Sequence, residues 1–180
     1  MKLNYYNTND YLGIKPKILI PDLSTSYKLP IFLTPVKAGF PSPATDYEEA
    51  KLDLNTHLIA HPNATFFLHV DGDSMIDAKV YSGDIAIVDR SLEARNGDVI
   101  IAVINDEFTM KRLEIKDRKG AVLIDQNGKT DNKVRLTITT QNTKQIRLLP
   151  ENPNFEPIEI TGNMTFAVWG VVTSVIHKLR

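Results

Sequence analysis

The segment Val70-Asp71-Gly72-Asp73-Ser74-Met75 follows directly on an apolar, β-branched stretch. Glycine and aspartate break a strand ladder, so Ser74 falls on a tight turn at a strand end. Such a turn exposes a hydroxyl and leaves neighbouring backbone N–H groups unpaired. Those are the features that nucleophilic attack on a carbonyl, and stabilisation of the resulting oxyanion, require. Taken alone, a serine after Gly-Asp also reads as an ordinary turn residue or helix cap.

A nucleophilic serine needs a base. The four histidines, His57, His61, His69 and His177, have no spacing that suggests a metal site or a triad. His69 alternates with Phe67 and reads as a packed or surface residue. Lysine is the other option, provided burial without a carboxylate partner brings its pKa toward neutrality. Lys111 is the best placed. Alternation puts Phe108, Met110 and Arg112 on one strand face, and Thr109, Lys111 and Leu113 on the other. Its ribbon lies across a hairpin from Val99-Ile100-Ile101-Ala102-Val103-Ile104, the most apolar run in the chain. Composition alone also fits a lysine that snorkels to solvent. A third element is Val36-Lys37-Ala38-Gly39-Phe40, where two small residues make a link that a narrow site could accept. By itself Ala-Gly is a bend.

The elements that must position these residues are mainly β. Residues 1–45 carry Pro16, Pro21, Pro30, Pro35, Pro41 and Pro43. That density forbids long helices and central strands, so the segment reads as an extended N-terminal arm with one short strand at 31–33. From residue 46 a compact β-rich domain is expected to run to 180. One short helix is expected at 53–60, capped by Asp53 or Asn55, with Leu54, Leu58 and Ile59 buried. Strands are expected at 65–70, 84–89, 98–104, 107–115, 121–124, 133–139, 145–149, 158–160 and 165–176. Asn105-Asp106 forms the turn of a hairpin. Short strands with turn signals between them indicate an all-β fold of strongly bent sheets. The largely polar stretch 117–144 reads as a surface insertion.

Bulk composition bounds the function. Of 180 residues 42% are hydrophobic and 24% charged, enough for a sizeable core, and the net charge is −1. Duplex DNA held by its phosphates calls for a basic excess, so sequence-specific DNA binding is disfavoured. There is no cysteine, which removes disulfides, thiolate metal sites and cysteine nucleophiles; no cofactor or metal is expected. A cysteine-free chain suits a reducing cytoplasm. No stretch is apolar enough for a membrane span.

Joined in order, the motifs resemble the LexA/UmuD (S24) family of self-cleaving serine–lysine peptidases, most closely its UmuD-type members. The match begins at Ala38-Gly39-Phe40-Pro41-Ser42-Pro43, similar to that family's cleavage-site region. It continues through His61-Pro62-Asn63-Ala64-Thr65, Gly72-Asp73-Ser74-Met75, Ser82-Gly83-Asp84 and Asn96-Gly97-Asp98-Val99-Ile100. Glu107-Phe108-Thr109-Met110-Lys111, Pro150-Glu151-Asn152-Pro153 and Val168-Trp169-Gly170-Val171-Val172 complete it. It covers about 38–115 and 146–180. Asp71 stands where the family more often has serine, the 117–144 insertion is not covered, and the arm is long.

The resemblance implies a LexA/signal-peptidase-like bent-sheet β domain. By similarity Ser74 is the nucleophile, Lys111 the general base, and the Ser74 and Met75 backbone N–H groups the oxyanion site. Ala38–Gly39 is the scissile bond. The resemblance also implies a homodimer, stimulation by a RecA–single-stranded DNA filament, and partnership of the trimmed form with a Y-family (UmuC-like) DNA polymerase. That is a translesion-synthesis role in the SOS response to DNA damage. The alternative is a LexA-like transcriptional repressor inactivated by the cut. It needs a DNA-binding domain ahead of the bond, and residues 1–38 lack two helices with a turn. A signal-peptidase-like enzyme would need a membrane anchor.

Overall fold

A computed structural model describes residues 3–5, 18–21, 23–32, 38, 49–117 and 144–179. Gly39, the 45/46 boundary and the expected strands at 121–124 and 133–139 lie outside the described residues. In chain order the elements are β1 (Leu3–Tyr5), β2 (Ile18–Pro21), β3 (Lys28–Phe32), β4 (Glu49–Asp53) and α1 (Leu54–Leu58). Then come β5 (Thr65–His69), β6 (Ile85–Asp89), β7 (Val99–Ile104), β8 (Glu107–Asp117), β9 (Lys144–Leu149), β10 (Ile158–Glu159) and β11 (Phe166–Ile176).

One nine-stranded sheet runs β1-β2-β5-β6-β11-β7-β8-β9-β10, and β3 and β4 form a separate two-stranded ribbon. Every pairing among the described residues is antiparallel. The expected mainly-β fold is therefore present. The sheet bends along β11, whose register shifts between Val168 and Gly170 against β7, and between Val172 and Ser174 against β6. At the first shift the backbone passes so close to β6 that a Cβ on Gly170 would lie 2.6 Å from Val88 Cγ1.

The run Val99–Ile104 is continuously apolar because both faces of β7 are covered. Ile100 and Ala102 pack with Leu113, Ile146, Leu148, Phe166 and Val171. Ile101 packs on the opposite side with Leu68, Ala86 and Val88. Across the hairpin, Ile104 pairs with Glu107. Asn105 and Asp106 both have positive φ, 46° and 68°. That is the mirror-type two-residue turn whose twist matches a β-hairpin.

Two local expectations change. The helix is shorter than 53–60: Asp53 caps it by accepting the Asn55 N–H at 2.9 Å, and it ends at Leu58. Leu54 is exposed rather than buried, and Ile59, just beyond the helix, is the buried anchor. Among the described residues the proline-rich arm supplies three strands, β1, β2 and β3, rather than the one expected. Pro30 sits in a two-stranded ribbon, where its missing donor can face away from the partner, and Pro21 ends β2.

Candidate functional site

The turn after β5 is pinned at its base. The Val70 N–H donates to Asp84 O, and the Gly83 N–H donates to Val70 O, both at 2.9 Å. Within the excursion Gly72 takes φ +88°, a left-handed conformation that side-chain-bearing residues rarely adopt. Ser74 follows, half-buried, then Met75, buried at 3% exposure, then a single 3-10 turn at Ile76–Ala78. Among the described residues neither the Ser74 N–H nor the Met75 N–H has a hydrogen-bond partner. Two donors stand side by side at a serine hydroxyl.

The segment after β9 braces this turn. The Glu151 N–H donates to Ser74 O, and the Asp77 N–H donates back to Glu151 O, both at 2.8 Å. The buried Asn152 amide donates to Asp73 O at 2.9 Å, while its Oδ1 accepts the Asn154 N–H at 2.9 Å. Arg112 on β8 closes the frame: its Nε donates to the Glu151 carboxylate, and its Nη1 donates to Gly97 O at 2.7 Å.

Lys111 lies on β8 opposite Ile100, with 8% of its surface exposed. Its Nζ is 2.7 Å from Ser74 Oγ, 2.9 Å from Met110 O and 3.1 Å from Thr109 Oγ1. Among the described residues no carboxylate pairs with it. Burial without a counter-charge holds the Lys111 ammonium below the ordinary lysine range. A neutral amine has two N–H groups and one lone pair. The Met110 carbonyl can only accept, and Thr109 Oγ1 can accept the second N–H. The lone pair is then left for the Ser74 hydroxyl.

The histidines stand elsewhere. His61 Nδ1 is 2.6 Å from the buried Asp89 carboxylate, and His177 Nδ1 is 2.5 Å from the buried Asp84 carboxylate. His57 and His69 are exposed. None of the four bonds to Ser74 among the described residues. Nor do those residues hold a group of His, Cys, Asp or Glu suited to a metal ion. The structure thus brings together Ser74, Met75 and Lys111, and it leaves Ala38 exposed. Sequence reading gave no role to Asn152, Glu151 or Arg112. Asn152 and Glu151 fell inside a quoted motif, but only the three-dimensional path of 150–154 shows what they hold.

A bent antiparallel sheet that sets a buried lysine against a turn serine is the frame on which the class can be read. The comparisons with known proteins make this specific. Residues 30–139 match the family model described as Peptidase S24-like, and the chain belongs to that family of self-cleaving serine peptidases. It is 39% identical to "Protein ImpA" of Salmonella typhimurium over 160 residues, covering 89% of this chain and 91% of that protein. It is 36% identical to "Protein MucA" of Escherichia coli over 151 residues, covering 83% and 85%. The "LexA repressor" of Bordetella petrii is 33% identical over 142 residues, covering 79% of this chain but 51% of the repressor. The UmuD-type reading accounts for near full-length matches; the repressor shares about half of its length.

Proposed function

We propose that the chain cuts its own Ala38–Gly39 bond. Ser74 Oγ attacks the Ala38 carbonyl carbon while Lys111 Nζ takes the hydroxyl proton. The Ser74 and Met75 N–H groups hold the oxyanion. The proton then passes from Lys111 to the departing Gly39 amine, leaving Ala38 as an ester on Ser74 for water to hydrolyse. The observation that carries this reading is the 2.7 Å approach of a buried lysine, with no carboxylate partner among the described residues, to Ser74 Oγ.

The same reading assigns the trimmed 39–180 fragment to SOS mutagenesis. It works in the cytoplasm as a homodimer that joins a UmuC-like Y-family polymerase for translesion synthesis. A RecA–single-stranded DNA filament stimulates the cut. A protein that carries its own substrate must keep the bond out of its site for most of the time. A filament that favours the docked arm raises the competent fraction. No helix among the described residues is long and apolar enough to cross a membrane. Purified protein incubated with an activated filament is expected to give fragments 1–38 and 39–180 by mass. Intact protein under those conditions defeats the reading.

A further inference from the structure

Residues on both sides of the proposed cut share the same sheets. β3 pairs with β4 from Lys28↔Asp53 to Phe32↔Glu49. Phe32 and Glu49, which stand on either side of the Ala38–Gly39 bond in the sequence, are therefore paired with each other. Further upstream, β2 pairs with β5 through Ile18↔Leu68 and Leu19↔Phe67, and β2 carries β1 on its other edge. Side chains add to this. Ser26 Oγ donates to Asp53 Oδ2, and Asn55 Nδ2 donates to Thr25 O at 3.4 Å. Each of these links between β3 and β4, between β2 and β5, and at Asp53 and Asn55 joins a residue before the cut to one after it. None depends on the Ala38–Gly39 bond.

We propose that residues 1–38 stay seated on the protein after the cut, as a non-covalent peptide whose acceptor surface is the edge of β5 together with β4. The inference rests on the Ala38–Gly39 reading above. The β5 part of the acceptor is preformed, because β5 is held on its other edge by β6 over five register pairs, Thr65↔Asp89 to His69↔Ile85; β4 has β3 as its one strand partner among the described residues. Main-chain ladders of this kind are what hold an added strand in edge recognition. The cut changes one thing, the connection. Before it, the strands meet at the high effective concentration of a tethered segment; after it, their association is bimolecular and weakens on dilution. The β5 edge then opens to another extended strand only as the peptide leaves.

Two preparations test this. In one, the full chain cleaves itself. In the other, Ser74→Ala blocks self-cleavage, and a site-specific protease cuts a recognition sequence placed within 33–48. Denaturing mass measurement reports the cut, and native mass measurement over a dilution series reports retention. Both pieces are expected in one native particle at high concentration, separating as the sample is diluted. Leu19→Pro combined with Leu29→Pro is expected to move the release midpoint about tenfold or more toward higher concentration. Ser26→Ala with Asn55→Ala, which leaves both ladders intact, moves it less in the same direction. Separation of the wild-type pieces at every concentration, or a release midpoint unmoved by the proline pair, overturns the proposal. A chain that never cuts itself overturns the proposed function, and the protease-cut sample still decides retention.

Discussion

Asn152 donates its side-chain amide to the carbonyl of Asp73, the residue before Ser74, at 2.9 Å. The donor is buried and its other end is occupied by the Asn154 N–H. Truncation therefore leaves two backbone groups without partners. Asn152→Ala is expected to cost about 1–3 kcal/mol of stability in urea unfolding, and to slow self-cleavage beyond what the lost stability explains. Asn152→Asp keeps the acceptor for Asn154 but sets a carboxylate against the Asp73 carbonyl, and should cleave at least as slowly. Wild-type cleavage by the folded Ala variant would remove Asn152 from any positioning role.

Two of the three neighbours of Lys111 Nζ, Ser74 Oγ and Thr109 Oγ1, are side chains that substitution can remove; the third is the Met110 main-chain carbonyl. Lys111→Ala should stay folded and lose roughly 10²–10⁴-fold in cleavage rate, the usual contribution of a positioned base. Lys111→Arg tests the protonation requirement, because guanidinium does not deprotonate in proteins; alkaline pH should not rescue it. Thr109→Val removes one acceptor and should slow cleavage while leaving the fold intact. A cleaving Ser74→Ala chain, followed by mass at the Ala38–Gly39 bond, would refute the assignment of the nucleophile.

Part of this site is legible in the sequence for a physical reason, although the ordered resemblance is what singles out Ser74 and Lys111. Strand alternation fixes which face Lys111 shares with Thr109 and Leu113, and a Gly-Asp break fixes where β5 ends. Leu113 is indeed in the core and Lys111 is buried beside it. What alternation does not encode is contact between distant segments. The bracing of Ser74 by Glu151 and Asn152, and the pairing of β2 with β5, depend on where loops return. A proline count describes the arm as extended without saying which strand edge it meets. Leu54 misled for a related reason: an apolar residue in the first turn of a five-residue helix has no guaranteed face to pack against.

Asp84 and Asp89 bracket β6, and each meets a histidine. Burial by itself raises the Asp84 carboxyl, but the Tyr81 N–H and the hydrogen bond and charge of His177 outweigh it and hold it below the ordinary range. At Asp89 burial is likewise outweighed by Ser91 and His61. A depressed carboxylate contributes stability that is fully present above its unfolded value and is lost as pH falls through the folded one. Acid unfolding is therefore expected to begin below the ordinary aspartate value of 3.8 for these groups. Asp84→Asn and Asp89→Asn should each lower stability at neutral pH by about 1–3 kcal/mol. Each should also flatten the acid limb in unfolding curves measured across pH.

Lys111 titrates in the opposite sense. Its folded value lies below the ordinary 10.5 because burial disfavours the charged form. Between the two values the unfolded chain binds more protons than the folded one, so stability rises with pH across that window and is flat beneath it. On the proposed mechanism, cleavage requires the neutral amine. Without a filament, its rate should climb about tenfold per pH unit while Lys111 is mostly protonated, then level off at the folded value. Lys111→Met should remove both the stability slope and the cleavage. Rates followed by mass from neutral to alkaline pH should therefore bend below 10.5. A profile still rising linearly through that value would mean that burial in the β7–β8 ribbon does not set the proton affinity of the base.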